Sequence, residues 1–403
     1  MFALRVFFPV LMLVAGSACA ARQKCAYPPA LSRPQDFVQL GPTDTTPHVT
    51  EADVLKKHAE QARTSHSPAQ GCGKKYLALS GGGMYGAYSA GFLAGWTAKG
   101  DRPTFDAVTG VSTGALVACY AFLGPDYDPA MIDAYTNITD RDVYRKRRPV
   151  AVLWSESAAD SAPLEKMIAA RVDAAFLEAV GQAHRTGRRL YIGTTNLDSR
   201  RLVVWDMGAI ATSGRPDSLE LFRKILLASA SPPGFFPPVP IEVTVNGRRY
   251  TELHADGGAT AGFFNDTATT ENRDADKPLA GSEAYVIVAG KLYSDPSLTP
   301  RRVVKIGESG LQSLLYSQTR GELYRIYTLC VLGGMDFRMT AVPQEYPAPE
   351  DAMGFDRAEM RKLYRLGFEN ANRPGPWRDT PPGTRPGEDT RPRTGPDFFA
   401  PTP

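Results

Sequence analysis

Ser112 lies between two glycines in the run Gly110-Val111-Ser112-Thr113-Gly114. An apolar stretch from Phe105 precedes it, and a second, Ala115 to Tyr120, follows. A short strand, a G-x-S-x-G turn and an apolar helix in that order make a nucleophile elbow. A serine hydroxyl attacks a carbonyl only when a turn thrusts it into a site and a base takes its proton. The two glycines permit that turn, because side chains at 110 and 114 would meet the neighbouring strand and helix. The five-residue pattern alone is also compatible with an ordinary loop.

Upstream, Lys74 to Ser80 is a strand candidate running into Gly81-Gly82-Gly83-Met84-Tyr85-Gly86, and Ala87 to Trp96 reads as a helix. A glycine-rich strand-to-helix turn aims bare backbone N–H groups into one cavity, at the positive end of a helix dipole. Such a cavity suits an oxyanion or a nucleotide phosphate. The run also fits G-x-G-x-x-G, with Asp101 about twenty residues on, where a dinucleotide fingerprint wants an acid. A plain tight turn is the third reading.

Downstream, Ile241 to Val245, the pair Asn246-Gly247, and Arg248 to Leu253 form a hairpin pattern. It delivers Asp256 to the end of a strand, just before Gly257 and Gly258. An aspartate ahead of two glycines serves either as a turn residue or as a base.

Together and in this order the three elements resemble the patatin-like phospholipase family, whose pattern is a G-G-G-x-x-G loop, a G-x-S-x-G nucleophile and a D-G-[AG] aspartate. Ala228 to Pro238 also resembles that family's helix-to-proline segment, and the likeness covers roughly residues 74 to 260. It implies an α/β fold, patatin-like, with three α/β/α layers around a mostly parallel central sheet. It also implies a dyad of Ser112 and Asp256, with an oxyanion hole from the Gly81, Gly82 and Gly83 loop joined by Thr113. Gly86, Gly110, Gly114, Gly257 and Gly258 are the remaining motif glycines. The implied activity is a serine acyl hydrolase on lipid esters, of phospholipase A or lysophospholipase type, working through an acyl-enzyme without metal or cofactor. A serine esterase or thioesterase on a non-lipid substrate is the first alternative. A non-catalytic lipid-binding envelope lipoprotein is the second.

The five histidines bear on mechanism separately. None follows Asp256, so the order Ser, Asp, His of an α/β-hydrolase triad is excluded with Asp256 as its acid. His254 shares a strand face with Asp256, which leaves a rearranged triad open. His184 ends a helical segment, where a cation suits the dipole. His48, His58 and His66 fall in a polar stretch.

The first twenty residues read as a signal peptide: a short basic start at Arg5, an apolar core Val6 to Val14, and small residues Gly16 to Ala20. The apolar run is too short for a membrane span. Cleavage after Ala20 competes with lipidation of Cys19, and the second is preferred. Export across the inner membrane to the periplasm, or an envelope-anchored lipoprotein, is expected, with secretion beyond it left open. Cys25 and Cys72 are then candidates for a disulfide, while Cys119 and Cys330 fall in apolar segments and should be buried.

Residues 21–73 read as a polar linker with a helical patch near Thr50 to Ala62. Residues 74–372 are the expected hydrolase domain, closed by an amphipathic helix, Phe355 to Asn370. Residues 373–403, rich in Pro, Gly and Arg, have little to bury and are expected to be disordered. With 43% hydrophobic residues among 403, the chain can bury a full core. A net charge of +3 is too small to argue for nucleic acid, and no nucleic-acid partner is expected. A dinucleotide partner is disfavoured by an exported location. One local cluster, Arg141, Arg145, Lys146, Arg147 and Arg148, precedes an apolar run ending at Trp154. It is either a solvated loop or a contact for an anionic membrane surface. Nothing in the sequence speaks to the oligomeric state.

Overall fold

A computed structural model describes residues 73–148, 154–245, 248–261, 279–295, 298–347 and 352–384. The signal peptide, Cys19, Cys25, Cys72, the Thr50 to Ala62 patch and the Asn246-Gly247 turn lie outside the described residues.

Eight strands form one sheet. In chain order the elements are β1 (Lys75–Leu79), α1 (Gly86–Lys99), β2 (Ala107–Val111), α2 (Thr113–Leu123) and α3 (Asp128–Thr136). Then come α4 (Ala162–Arg171), α5 (Ala174–Arg185), β3 (Arg189–Asn196), β4 (Arg201–Asp206), α6 (Met207–Thr212) and α7 (Ser218–Ser229). The chain continues through β5 (Val239–Val245), β6 (Arg248–Asp256), β7 (Glu283–Val288), α8 (Val303–Gly333), β8 (Asp336–Ala341) and α9 (Arg357–Asn372). Strands β8, β7, β1, β2 and β3 run parallel in that spatial order. Strand β6 joins β3 antiparallel, and β5 pairs β6 as the hairpin pattern predicts. The fold is therefore α/β with a mostly parallel sheet, as expected.

Alternation along β1 divides the core. Leu77 and Leu79 enter the larger cluster, beneath α1, α2, α5, α7 and α9, while Tyr76 and Ala78 face a second cluster with Leu323, Ile326 and Cys330 of α8. Helices thus cover both faces, giving three layers. Helices α1 and α9 meet closely: a Cβ on Gly91 would lie 1.9 Å from the Tyr364 carbonyl oxygen.

The expected disorder from Arg373 onward needs correction for residues 373–384. Trp377 lodges in an aromatic group, with ring centroids 4.8 Å from Phe92, 4.7 Å from Trp96 and 5.0 Å from Tyr285. Arg378 and Met339 of β8 exchange backbone hydrogen bonds of 2.8 and 2.7 Å. One tryptophan outweighs a proline-rich composition, since a single aromatic buries a large apolar area.

Candidate active site

The site stands at the carboxyl edge of the parallel strands, and the register of β3 assembles it. One side of β3 is lined by β4. Its other side is shared: β2 pairs as far as Val111↔Gly193, and β6 takes over at Thr194↔Asp256. One residue step along β3 therefore brings the end of β2 against the end of β6. Ser112 follows Val111, and its hydroxyl is a side-chain hydrogen-bond partner of the Asp256 carboxyl.

Ser112 adopts φ 56° and ψ −130°, a positive φ that a non-glycine residue rarely takes. Strain of this kind costs of order 1–3 kcal/mol and persists only where the surroundings enforce it. Here they do. The Ser112 amide donates to Ser229 Oγ at 3.0 Å, and that hydroxyl donates to the Gly193 carbonyl at 2.7 Å. The flanking glycines leave no room for side chains: a Cβ at 110 would lie 2.4 Å from the Gly114 carbonyl oxygen, and one at 114 would lie 2.4 Å from that of Leu79.

Asp256 is 6% exposed. Burial pushes its pKa up to about 7, against the lowering effect of hydrogen bonds from Ser112 and the Gly258 amide. That amide donates to Asp256 Oδ1 at 2.8 Å, the Asp256 amide donates to the Ser231 carbonyl at 2.8 Å, and Thr195 Oγ1 donates to the Asp256 carbonyl at 2.8 Å. Gly257 packs against Gly193. The segment Ala228 to Ser231 thus holds the backbone on both sides of the dyad.

The glycine loop closes over Ser112. A Cβ on Gly81 would sit 3.0 Å from Ser112 Cβ. The Gly81, Gly82 and Gly83 amides donate to no acceptor among the described residues, whereas the next amide, Met84, donates to the Ala352 carbonyl at 2.9 Å. Ser80 orients the loop: its Oγ donates to the Gly81 carbonyl at 2.9 Å and accepts from the Ala289 amide at 2.8 Å. Thr113 begins α2, and its side chain and carbonyl both bond the Tyr135 hydroxyl, at 2.8 and 2.9 Å. Gly86 heads α1 directly against Thr113.

Beside Ser112 a narrow pocket with a cavity volume of about 70 Å³ runs between helices, lined by Leu116, Leu164, Ile168, Phe176, Leu226 and Phe236 among others. Cys119 lines it too, its thiol pushed up to about 12 by burial and so held as an apolar neutral group. Cys330 is likewise buried. Of the basic cluster, Arg141, Arg145, Lys146, Arg147 and Arg148 are exposed, and Val143 among them turns into the pocket.

His254 is fully buried, with Nδ1 2.9 Å from Thr194 Oγ1 and Nε2 3.0 Å from Glu252 Oε2. Both ring nitrogens are engaged away from Ser112, which closes the rearranged triad. His184 also departs from expectation: burial lowers its pKa, outweighing Asp206 at 3.7 Å, so the neutral ring is favoured. Asp101 lies beyond the far end of α1, beside Lys99 at 3.1 Å. Fourteen helical residues separate it from the glycine loop, too far to share a dinucleotide with it.

Residues 77–268 match the family model for patatin-like phospholipase. The chain carries a patatin-like phospholipase domain. Among solved structures, VipD from Legionella pneumophila is similar at 13% identity, covering 74% of this chain and 66% of VipD, with a TM-score of 0.37. The type III effector protein ExoU is similar at 15% identity, covering 76% of this chain and 52% of ExoU, with a TM-score of 0.34. The chain thus spans somewhat less than two thirds of the first and about half of the second. No curated protein matches it. The matched part of the patatin-like domain runs from β1 through β6 and takes in the glycine loop, the elbow and Asp256.

Sequence reasoning missed Ser80, Ser229 and Tyr135. Ser229 sat inside a quoted motif, but nothing local to it points to the Ser112 amide 117 residues away.

Proposed function

We propose that the chain is a serine acyl hydrolase of lipid esters, of phospholipase A or lysophospholipase type. One observation carries the reading: Ser112 stands on a strained elbow against Asp256 and lines an apolar pocket. Asp256 as carboxylate accepts the Ser112 proton while Oγ attacks the ester carbonyl. A base with a pKa near the working pH combines the right protonation state with useful basicity. The amides of Gly81, Gly82, Gly83 and Thr113 surround the developing oxyanion, each donor contributing about 3–4 kcal/mol to the transition state. Collapse expels the alcohol, which takes the proton back from Asp256. Water then attacks the acyl-enzyme, deprotonated by the same carboxylate, and the acyl chain leaves the pocket as a fatty acid. Export, with Cys19 as a lipid anchor, belongs to the same reading and is supported by the Val6 to Val14 core and the small residues before Cys19.

The test uses protein from residue 21 onward, with Ser112→Ala as control, a fluorophosphonate probe, and a phospholipid labelled in each acyl chain. Labelling and fatty-acid release that both vanish in the variant are expected. Labelling without lipid cleavage would move the substrate to other esters, and a folded protein that never labels would favour the binding lipoprotein.

A further inference from the structure

Helix α8 is far longer than the strands it connects. Its 31 residues span about 46 Å, against about 20 Å for the six residues of β7 or β8. It must end at the amino edge of the sheet, where β8 begins, so the excess projects past the carboxyl edge, the edge that holds Ser112. Arg320 marks the crossing: its Nη1 donates to the Leu292 carbonyl at 3.1 Å, just beyond the end of β7. Tyr316 is among the groups whose charge raises the phenol of Tyr85, at the head of α1 next to the glycine loop. Among the described side chains of α8, Leu323 is the first that is buried. Everything before Arg320 overhangs the site edge.

Five apolar side chains of that overhang face solvent, beside exposed Lys305, Gln312, Ser313 and Ser317. Val303 is 84% exposed, Ile306 55%, Leu311 59%, Leu314 69% and Leu315 46%. At 100° per residue these five fall on one half of the helix, and Tyr316 and Arg320 fall on the other, toward the body. Leu298, just upstream, is 99% exposed. Among the described residues no helix is apolar enough to cross a membrane, so α8 is a surface element and not a span. Arg301, Arg302 and Lys305 occupy its start, all exposed.

We propose that residues 298–315 form a docking arm that lies in the surface of an anionic bilayer and presents the mouth of the site to it. An apolar helical face with a basic start has the chemistry of an interfacial helix: leucines enter the acyl boundary while arginines meet anionic headgroups. Continuity with the site edge favours lipid over a protein occupant, because the arm and Ser112 then address the same surface. The inference rests on the lipid-ester reading of the site, and its test separates the two.

Ser112→Ala protein is co-sedimented with vesicles of phosphatidylcholine, with and without phosphatidylglycerol, beside the same protein carrying Leu311→Gln, Leu314→Gln and Leu315→Gln. The three positions are exposed, so thermal melts should be unchanged. Removing three leucines from a lipid surface should lower the vesicle-bound fraction about tenfold or more. Arg301→Gln with Arg302→Gln should weaken binding only where phosphatidylglycerol is present. In the active protein the leucine changes should cut hydrolysis of vesicle phospholipid and spare a soluble short-chain ester. Equal vesicle binding by variant and parent overturns the proposal. So does a parent dimer that the leucine changes convert to monomer with vesicle binding intact, which would assign the face to a second copy. Arm-dependent binding by a wild-type chain that cleaves neither ester would keep the arm and discard the hydrolase.

Discussion

The Ser229 hydroxyl stands 3.0 Å from the Ser112 amide and 2.7 Å from the Gly193 carbonyl, bridging the elbow to the middle of the sheet. Ser229 touches no reacting atom, but it stabilises a backbone conformation that Ser112 would otherwise leave. Ser229→Ala strands a buried amide and a buried carbonyl, at a cost of about 1–3 kcal/mol. We expect fluorophosphonate labelling to slow by roughly 10–100-fold, because an ångström of misplacement has that effect on an attacking atom. Ser229→Thr should restore part of the rate. A Ser229→Ala protein that labels at the parent rate would leave the bridge without a mechanistic role.

Asp256 gives opposite pH dependences for activity and stability. Its folded pKa, about 7, lies above the unfolded value of 3.8. Activity requires the carboxylate and should rise as pH passes through about 7. Stability runs the other way: between pH 4 and 7 the folded state binds the extra proton, so unfolding free energy falls with pH and levels off above 7. A rise of about three units corresponds to roughly 4 kcal/mol between the two limits. Asp256→Asn should flatten that slope, melt higher than the parent at pH 8 and lose turnover. Thermal melts at pH 5 and pH 8, beside a pH–rate profile, check both signs.

The buried pair His254 and Glu252 is structural. Removing one member of a buried hydrogen-bonded pair leaves its partner unsatisfied at a cost of about 1–3 kcal/mol, and the lost ring leaves a cavity as well, so His254→Ala should fold poorly. His254→Gln, which keeps a hydrogen-bonding group, should fold better and label at the parent rate per folded molecule. A folded His254→Gln that fails to label, beside an active Asp256→Asn, would sink the dyad.

Ala134 lines the pocket from α3 and is 6% exposed. Ala134→Phe should fill part of that space and shorten the longest acyl chain accepted. Pocket differences of a methylene or two are worth about 1–3 kcal/mol, so kcat/KM on long-chain esters should fall by 10-fold or more, roughly. Acetate and butyrate esters should change little, and an equal loss across the series would remove the pocket from chain selection.

Trp377 ties the chain after α9 to α1 and β7. Trp377→Ala removes the three ring contacts and should cost about 2–4 kcal/mol. The fall in melting temperature measures it. An unchanged melt would mean that residues 373–384 add nothing to the fold.

What the sequence determined by itself is local. The glycines at 81–83, 110, 114 and 257 stand in contiguous motifs that can be read directly, although the backbone they make room for comes mostly from other elements, as Leu79 does at Gly114 and Gly193 at Gly257. Strand alternation, the hairpin before Asp256, and the burial of Cys119 and Cys330 can be read as directly. From these the α/β class, the elbow and the paired aspartate were legible. The tertiary structure decided everything that depends on long separations. Only the register of β3 brings Val111 and Asp256 within one residue step. Only packing assigns Ser229 to Ser112, gives both nitrogens of His254 to Thr194 and Glu252, and buries Asp256 deeply enough to raise its pKa. Trp377 makes the same point against a proline-rich composition. Side-chain identity records what a residue can bond or bury; which partner it meets depends on how the chain closes, and a single sequence does not write that locally.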